Sequence, residues 1–139
     1  MQQNTVSESG KPLIAILNST QESIDLLQSI LENEGFATVS DFIVDFREGR
    51  KDIVAFFNAH QPNVVVYDIA LPYVQNWRFF REHVLAVHAL PELNFILTTA
   101  NKQILEMLVG GTNSIELVGK PVDAVEIIQA VRKIVDATL

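Results

Sequence analysis

The sequence has no cysteine, which excludes disulfide bonds and metal sites built on thiolates. It has no apolar run approaching the ~20 residues that cross a bilayer, and no basic-then-apolar leader at its start. It is also poor in basic residues, because 10 Lys and Arg stand against 17 Asp and Glu, a net charge of −7. That is the wrong sign for a surface that tracks the phosphates of nucleic acids or anionic lipids. These absences predict a soluble, cytoplasmic protein that binds neither nucleic acid nor membrane directly.

The length fits one domain. A chain of 139 residues can bury a core without disulfide or metal staples. Residues 1–11 are polar and have nothing to bury, so they are predicted to form a flexible tail. The remaining residues, 12–139, are predicted to form the single domain.

Short apolar runs alternate with segments of helical periodicity. The predicted strands are 13–17, 36–44 near an edge, 64–68, 95–100 and 115–119. The predicted helices are 21–34, 50–60, 77–89, 101–109 and 123–137, with loops at 45–51 and 72–76. The last helix is predicted to begin with the capping pair Asp123 and Glu126 and to pack through Val125, Ile128, Val131, Ile134 and Val135. Such alternation predicts an α/β fold whose parallel sheet is covered by helices on both faces.

Polar residues follow several of the predicted strands. Asp68 ends the apolar run 64–68, and Thr99 and Lys120 end the two strands after it. Ligands of open α/β sheets bind at the carboxyl ends of the strands. A carboxylate, a hydroxyl and an ammonium there suit a phosphoryl group, with Asp68 as nucleophile and the other two bonding the phosphoryl oxygens. The alternative is an Asp68 that opens a turn, a Thr99 hydroxyl bonded to its own backbone and a surface Lys120.

The same residues carry a resemblance to a known family. The segment 67–72, the pair Thr99 and Ala100, the pair Lys120 and Pro121, and Gly111 resemble the receiver domain of two-component response regulators. The resemblance covers residues 13–137. It implies a flavodoxin-like, doubly wound, five-stranded parallel sheet in the order 2-1-3-4-5, with two helices on one face and three on the other.

The resemblance also implies a function. A histidine kinase or phosphotransfer protein would supply a phosphoryl group to Asp68, and the backbone N–H of Ala100 would help hold its oxygens. No enzyme activity is implied beyond self-phosphorylation and dephosphorylation at Asp68. The face formed by residues 111–135 would serve a downstream protein partner or a homodimer.

Two positions depart from the family. The receiver family has two acidic residues after the first strand, where this chain has Asn18 and Ser19. With that pair a receiver binds Mg²⁺; without it, Asp68, the Ala70 carbonyl and the Ser19 hydroxyl would hold the ion weakly.

Asp41 and Glu22, on elements next to the predicted site, are the other acidic residues that could supply a metal ligand, although nothing in the sequence places them there. The charges of Asp68 and Lys120 cancel, so the two could pair directly. Leu117 stands where the family often has an aromatic residue, which predicts altered coupling to the partner face.

The sequence therefore predicts a degenerate receiver that acts mainly as a protein-interaction module. One alternative is a conventional phosphoaccepting receiver that tolerates Asn18 and Ser19. Another is a flavin-binding domain, with a phosphate at the loop 19–23 and with Tyr73 and Trp77 stacking on the flavin ring, although that loop lacks glycine and contains Glu22. Hydrolysis is not supported, because the histidines fall on predicted helices away from the strand ends: His60, His83 and His88.

Overall fold

Five parallel strands form one sheet in the order β2-β1-β3-β4-β5. The computed structural model describes residues 10–86, 93–110 and 115–137. The strands are β1 (Leu13–Asn18), β2 (Ala37–Phe42), β3 (Val64–Asp68), β4 (Asn94–Thr99) and β5 (Ile115–Gly119). This order confirms the flavodoxin-like sheet that the resemblance implied.

Helices connect the strands and lie on both faces of the sheet. They are α1 (Gln21–Asn33), α2 (Ile43–Arg47), α3 (Ile53–His60), α4 (Tyr73–Phe80), α5 (Lys102–Val109) and α6 (Ala124–Ala137). The chain continues from α4 into one π-helical turn, Arg81–Leu85. In the described ranges no helix combines the length and the apolar character that a membrane crossing requires.

The alternation of side chains along the strands divides the core into two clusters. One lies between the sheet and helices α1 and α6, and its strand members include Ile14, Ile16, Val64, Val66, Ile96 and Val118. The other lies between the sheet and helices α2 to α5, and its strand members include Ala15, Leu17, Val65, Tyr67, Phe95 and Leu97. Burial on both faces explains why the central strands have continuous apolar sequences.

The segment after β2 differs from the prediction. Residues 43–44 were predicted to end the strand and 45–51 to form a loop, whereas Ile43–Arg47 form helix α2. Ile43 and Phe46 are buried one helical turn apart, and this burial stabilises a helix too short to give a periodic pattern. Helix α3 begins at Ile53, later than predicted, because the Asp52 carboxylate caps it by accepting the Ala55 N–H at 3.2 Å.

Helix α4 begins earlier than predicted. The sequence predicts a loop at Tyr73 and Asn76, but the helix starts at Tyr73, directly after Pro72. Trp77 and Phe80 bury its inner side, and Trp77 stacks on Phe80 with ring centroids 5.8 Å apart. Residues 87–89 of the predicted helix, and residues 1–9 of the predicted tail, lie outside the described residues.

The last helix has the predicted cap, but its buried residues differ in part from those predicted, since Ile127 and Ala130 are also buried. The Asp123 carboxylate accepts the Glu126 N–H at 3.1 Å, as expected for a cap. Val131 and Val135 are buried, but Val125 is 62% exposed and does not belong to the core. The buried face instead begins at Ile127.

Candidate functional site

Asp68 is a buried carboxylate at the carboxyl end of the central strand β3. The residue is only 4% exposed. A carboxylate removed from water in this way must be compensated by charge or hydrogen bonds. Its partners therefore define the site.

Lys120 is the first partner. Its Nζ lies 2.8 Å from Oδ1 of Asp68, and its side chain keeps 29% exposure while that of Asp68 keeps 1%. The backbone places it, because the Lys120 N–H donates to the Thr99 carbonyl at 2.8 Å just beyond the end of β5. The direct pairing expected from the cancelling charges is therefore present.

The second partner is Thr98, whose Oγ1 donates to the same Asp68 oxygen at 2.7 Å. The sequence predicts Thr99 at the site, whereas the hydroxyl that contacts Asp68 in the structure belongs to Thr98. Asp68 pairs with Thr98 in the parallel ladder, so their side chains project from the same face. Thr99 projects from the opposite face, and its Oγ1 accepts the Asn101 N–H at 3.2 Å, as the backbone-bonded alternative anticipated.

Asn18 is the neighbour of Asp68 on the other side. The ladder pairs Leu17 with Tyr67, so the next step of that register brings Asn18 beside Asp68. Asn18 is 2% exposed, and its Oδ1 accepts the N–H of the exposed Ser19 at 2.7 Å. Its Nδ2 is buried and has no hydrogen-bond partner among the described residues. This position therefore presents a donor where a receiver has an acidic acceptor.

The Ala70 carbonyl, the backbone ligand implied for a metal, already accepts a hydrogen bond. Asn76 Nδ2 donates to it at 2.8 Å, and Arg47 Nη1 donates to Asn76 Oδ1 at 2.9 Å. The sequence did not indicate either residue, since Arg47 lies on the unpredicted helix α2 and Asn76 in the predicted loop. Ala100, whose N–H was expected to hold a phosphoryl oxygen, is exposed directly after β4.

The two neighbouring acidic residues do not complete the site. The Asp41 carboxylate accepts from Lys51 Nζ and from the Phe42 N–H, both at 2.8 Å. The hydrogen bond to Asp41 raises the pKa of Lys51. Glu22 is exposed in the first turn of α1. Across the described ranges, no three His, Asp or Glu side chains are grouped so that they could hold a metal ion.

The groups at the site do not fit a divalent cation as they are arranged. Mg²⁺ needs oxygen acceptors that are free to coordinate it. Here Lys120 and Thr98 both bond to Oδ1 of Asp68, Asn76 donates to the Ala70 carbonyl, and Asn18 contributes a buried amide donor at the position where a metal ligand oxygen would be needed. The arrangement instead balances one negative and one positive side chain without an added ion.

The remaining candidate residues lie apart from this site. His60 ends α3 with its ring 4.7 Å from Phe56, His83 packs on Phe79 at 5.1 Å, and His88 lies outside the described residues. Trp77 is in the core, where Tyr73 packs against the same cluster. Thr20, in the proposed phosphate loop, instead caps α1 by accepting the Ser23 N–H at 3.2 Å.

Comparison with solved structures, but not with family models or curated sequences, finds proteins of the same fold. No protein-family model matches the chain, and no curated protein matches it significantly. A response regulator receiver protein from Sinorhizobium medicae WSM419 superposes with a TM-score of 0.66 at 19% identity, covering 94% of this chain and 98% of that one. The chemotaxis protein CheY4 of Vibrio cholerae gives a TM-score of 0.66 at 10% identity, over 89% of this chain and 98% of that one.

A third structure is the C-terminus of E. coli RcsC, which contains a linker region and a phosphoreceiver domain. It gives a TM-score of 0.70 at 18% identity, over 99% of this chain and 51% of that one. The chain therefore has the fold of response regulator receiver domains. At these identities the likeness establishes the architecture, while the function depends on the site.

Proposed function

We propose that this protein is a degenerate receiver domain of two-component signalling, which acts mainly as a protein-interaction module. Its Asp68 is the position a phosphoryl group would take, but Mg²⁺-dependent transfer to it is inefficient. The observation that carries this proposal is the 2.8 Å pair between Asp68 and Lys120 in a site without the acidic pair. The receiver fold supplies the context.

The chemistry of the site supports inefficient transfer. Attack on a phosphodonor requires a carboxylate oxygen to form a bond to phosphorus while the donor's own bond breaks, and negative charge spreads over the phosphoryl oxygens. In this chain Lys120 and Thr98 both bond to Oδ1 of Asp68, which stabilises the negative charge of the resting carboxylate and makes it a weaker nucleophile. A conventional receiver would offset the added charge with a cation, for which the groups here are poorly arranged.

The proposed partners are those of receivers. A histidine kinase or phosphotransfer protein would contact the strand ends, and a downstream protein or a second copy would contact the face at 111–135. In the described part of that face Val125 is 62% exposed. If this face forms a homodimer, the wild type should sediment as a dimer and the Val125→Asp variant as a monomer.

The test of the proposal is covalent. The protein is incubated with acetyl phosphate, with and without Mg²⁺, and its intact mass is measured, with Asp68→Asn as the control. We expect no Mg²⁺-dependent gain of a phosphoryl group. A Mg²⁺-dependent gain that is lost in Asp68→Asn would instead identify a conventional receiver that tolerates Asn18 and Ser19.

A further inference from the structure

The carbonyl of Ala70 is held by a side chain of the following helix. Asn76, in the first turn of α4, donates its Nδ2 to Ala70 O at 2.8 Å, across 6 residues. Both residues are half-buried. The carbonyl two positions beyond Asp68 therefore already has a donor from its own chain.

The orientation of that amide is fixed by Arg47. Its Nη1 donates to Asn76 Oδ1 at 2.9 Å, and it comes from α2, 29 residues earlier in the chain. A guanidinium only donates and a carbonyl only accepts, so only one orientation of the amide satisfies both neighbours. None of the described carboxylates forms an ion pair with Arg47, which leaves it available for the amide.

We propose that Asn76, oriented by Arg47, takes the place of a divalent cation at the Ala70 carbonyl, so that the site is organised without a metal. This rests on the proposed function, since it explains how a receiver site can persist without its cation. Lys120 and Thr98 bond to Oδ1 of Asp68, and Asn76 donates to the Ala70 carbonyl. Asn76 is a positioning residue: it holds the segment between β3 and α4 and opposes a cation that needs the same carbonyl.

The consequence is that restoring the acidic pair alone gives only a weak metal site. A cation entering an Asn18→Asp, Ser19→Asp variant must compete with the Asn76 amide for the electron density of the Ala70 carbonyl oxygen. The net free energy of one such hydrogen bond corresponds to about a tenfold change in Mg²⁺ affinity. Removing the Asn76 amide should therefore raise the Mg²⁺ affinity of the variant about tenfold.

The experiment measures Mg²⁺ affinity rather than phosphorylation. Trp77 is the only tryptophan, it is 6% exposed, and it follows Asn76 directly, so its fluorescence should report on this segment. Mg²⁺ is titrated into Asn18→Asp, Ser19→Asp with and without Asn76→Leu, and calorimetry provides a second readout. The matched control is Gln75→Leu, which removes an exposed amide from the same helical turn.

We expect Asn76→Leu to tighten Mg²⁺ binding about tenfold in the acid-restored background and Gln75→Leu to leave it unchanged. In the otherwise native chain, Arg47→Met should speed the hydrogen exchange of the Asn76 side-chain amide, because it removes the hydrogen bond that orients that amide. The NMR signal of this amide is assigned by its absence from the spectrum of Asn76→Leu. Equal affinities with and without Asn76, or no binding in the triple variant, would overturn the proposal. These outcomes are independent of acetyl phosphate, so they can be distinguished from failure of the receiver function itself.

Discussion

Thr98 donates its hydroxyl hydrogen to Oδ1 of Asp68 across 2.7 Å, between two strands whose register pairs these two residues directly. Both side chains are buried. The hydroxyl and the ammonium of Lys120 meet at the same oxygen. In the described conformation this carboxylate is thus a bonded structural group as well as a candidate phosphoacceptor.

The two adjacent threonines should differ in their effect on stability. Thr98→Val removes a hydrogen bond to a buried charge, so we expect it to lower the free energy of unfolding by about 1.5 to 3 kcal/mol. Thr99→Val removes only a hydroxyl that accepts a backbone N–H, and should cost about 1 kcal/mol. Urea denaturation of the two variants measures the difference. Equal losses would contradict the assignment of Thr98 to the site.

The pair of Asp68 and Lys120 should show energetic coupling. Lys120→Met leaves the buried carboxylate without its cation, whereas Asp68→Asn combined with Lys120→Met removes both charges. We expect a coupling energy of about 1 to 3 kcal/mol, below that of a fully buried pair because the lysine side chain is 29% exposed. A double-mutant cycle in urea measures it. Additive losses would mean that the contact contributes nothing to the folded state.

The strand ends could be predicted because their signal is local. A buried apolar run that ends at a polar residue predicts that Asp68 and Lys120 lie at strand ends on the same side of the sheet, and the structure brings the two side chains together. The sequence does not determine whether Thr98 or Thr99 faces Asp68. Two threonines end β4, and which one faces Asp68 depends on the register between β3 and β4, a one-residue shift of which exchanges the two faces.

The contacts of Arg47 and Asn76 could not be predicted for a different reason. Helix α2 has only 5 residues, too few for a helical period to be read. The hydrogen bond between these side chains also joins residues 29 positions apart, and no local pattern specifies such a contact. The sequence shows that Asn18 departs from the family pattern, but the burial of its amide nitrogen without a partner among the described residues depends on the three-dimensional packing.

Asn18→Asp should make the stability of the protein sensitive to Mg²⁺. A second carboxylate beside Asp68 in a buried site is expected to lower the free energy of unfolding by about 2 kcal/mol in the absence of metal, because like charges repel there. Mg²⁺ should raise the free energy of unfolding of this variant by about 1.4 kcal/mol when its concentration is ten times the dissociation constant for the variant. Thermal unfolding at constant ionic strength measures both effects.

The matched control for Asn18→Asp is Asn63→Asp, which lies at the amino ends of β1 and β3, away from the site at their carboxyl ends. Asn63 Oδ1 accepts the Leu13 N–H at 2.7 Å, before the first residue of β3, and an aspartate could keep that bond. Neither this variant nor the wild type should gain stability from Mg²⁺. A gain of similar size in all three proteins would show that the cation acts on the surface charge and not at the site.

Tyr67 should make the protein less stable as the pH rises above 10. Burial in the core raises the pKa of its phenol above the ordinary value of 10.0. The folded state therefore keeps a proton that the unfolded chain loses, and the stability this contributes is complete below pH 10 and falls as the pH rises. The slope is about 1.4 kcal/mol per pH unit.

Lysines also titrate in this range, so the measured quantity is the difference between the wild type and Tyr67→Phe in urea denaturation from pH 9 to about 11. Tyr67→Phe keeps the ring that packs 4.8 Å from Phe80 and removes only the ionisable group. We expect the wild type to lose stability more steeply than the variant. If the stabilities of the two proteins instead fall in parallel as the pH rises, Tyr67 has the same pKa in the folded and unfolded states. Its hydroxyl would then contact water and would not be buried in the core beneath the strand end of Asp68.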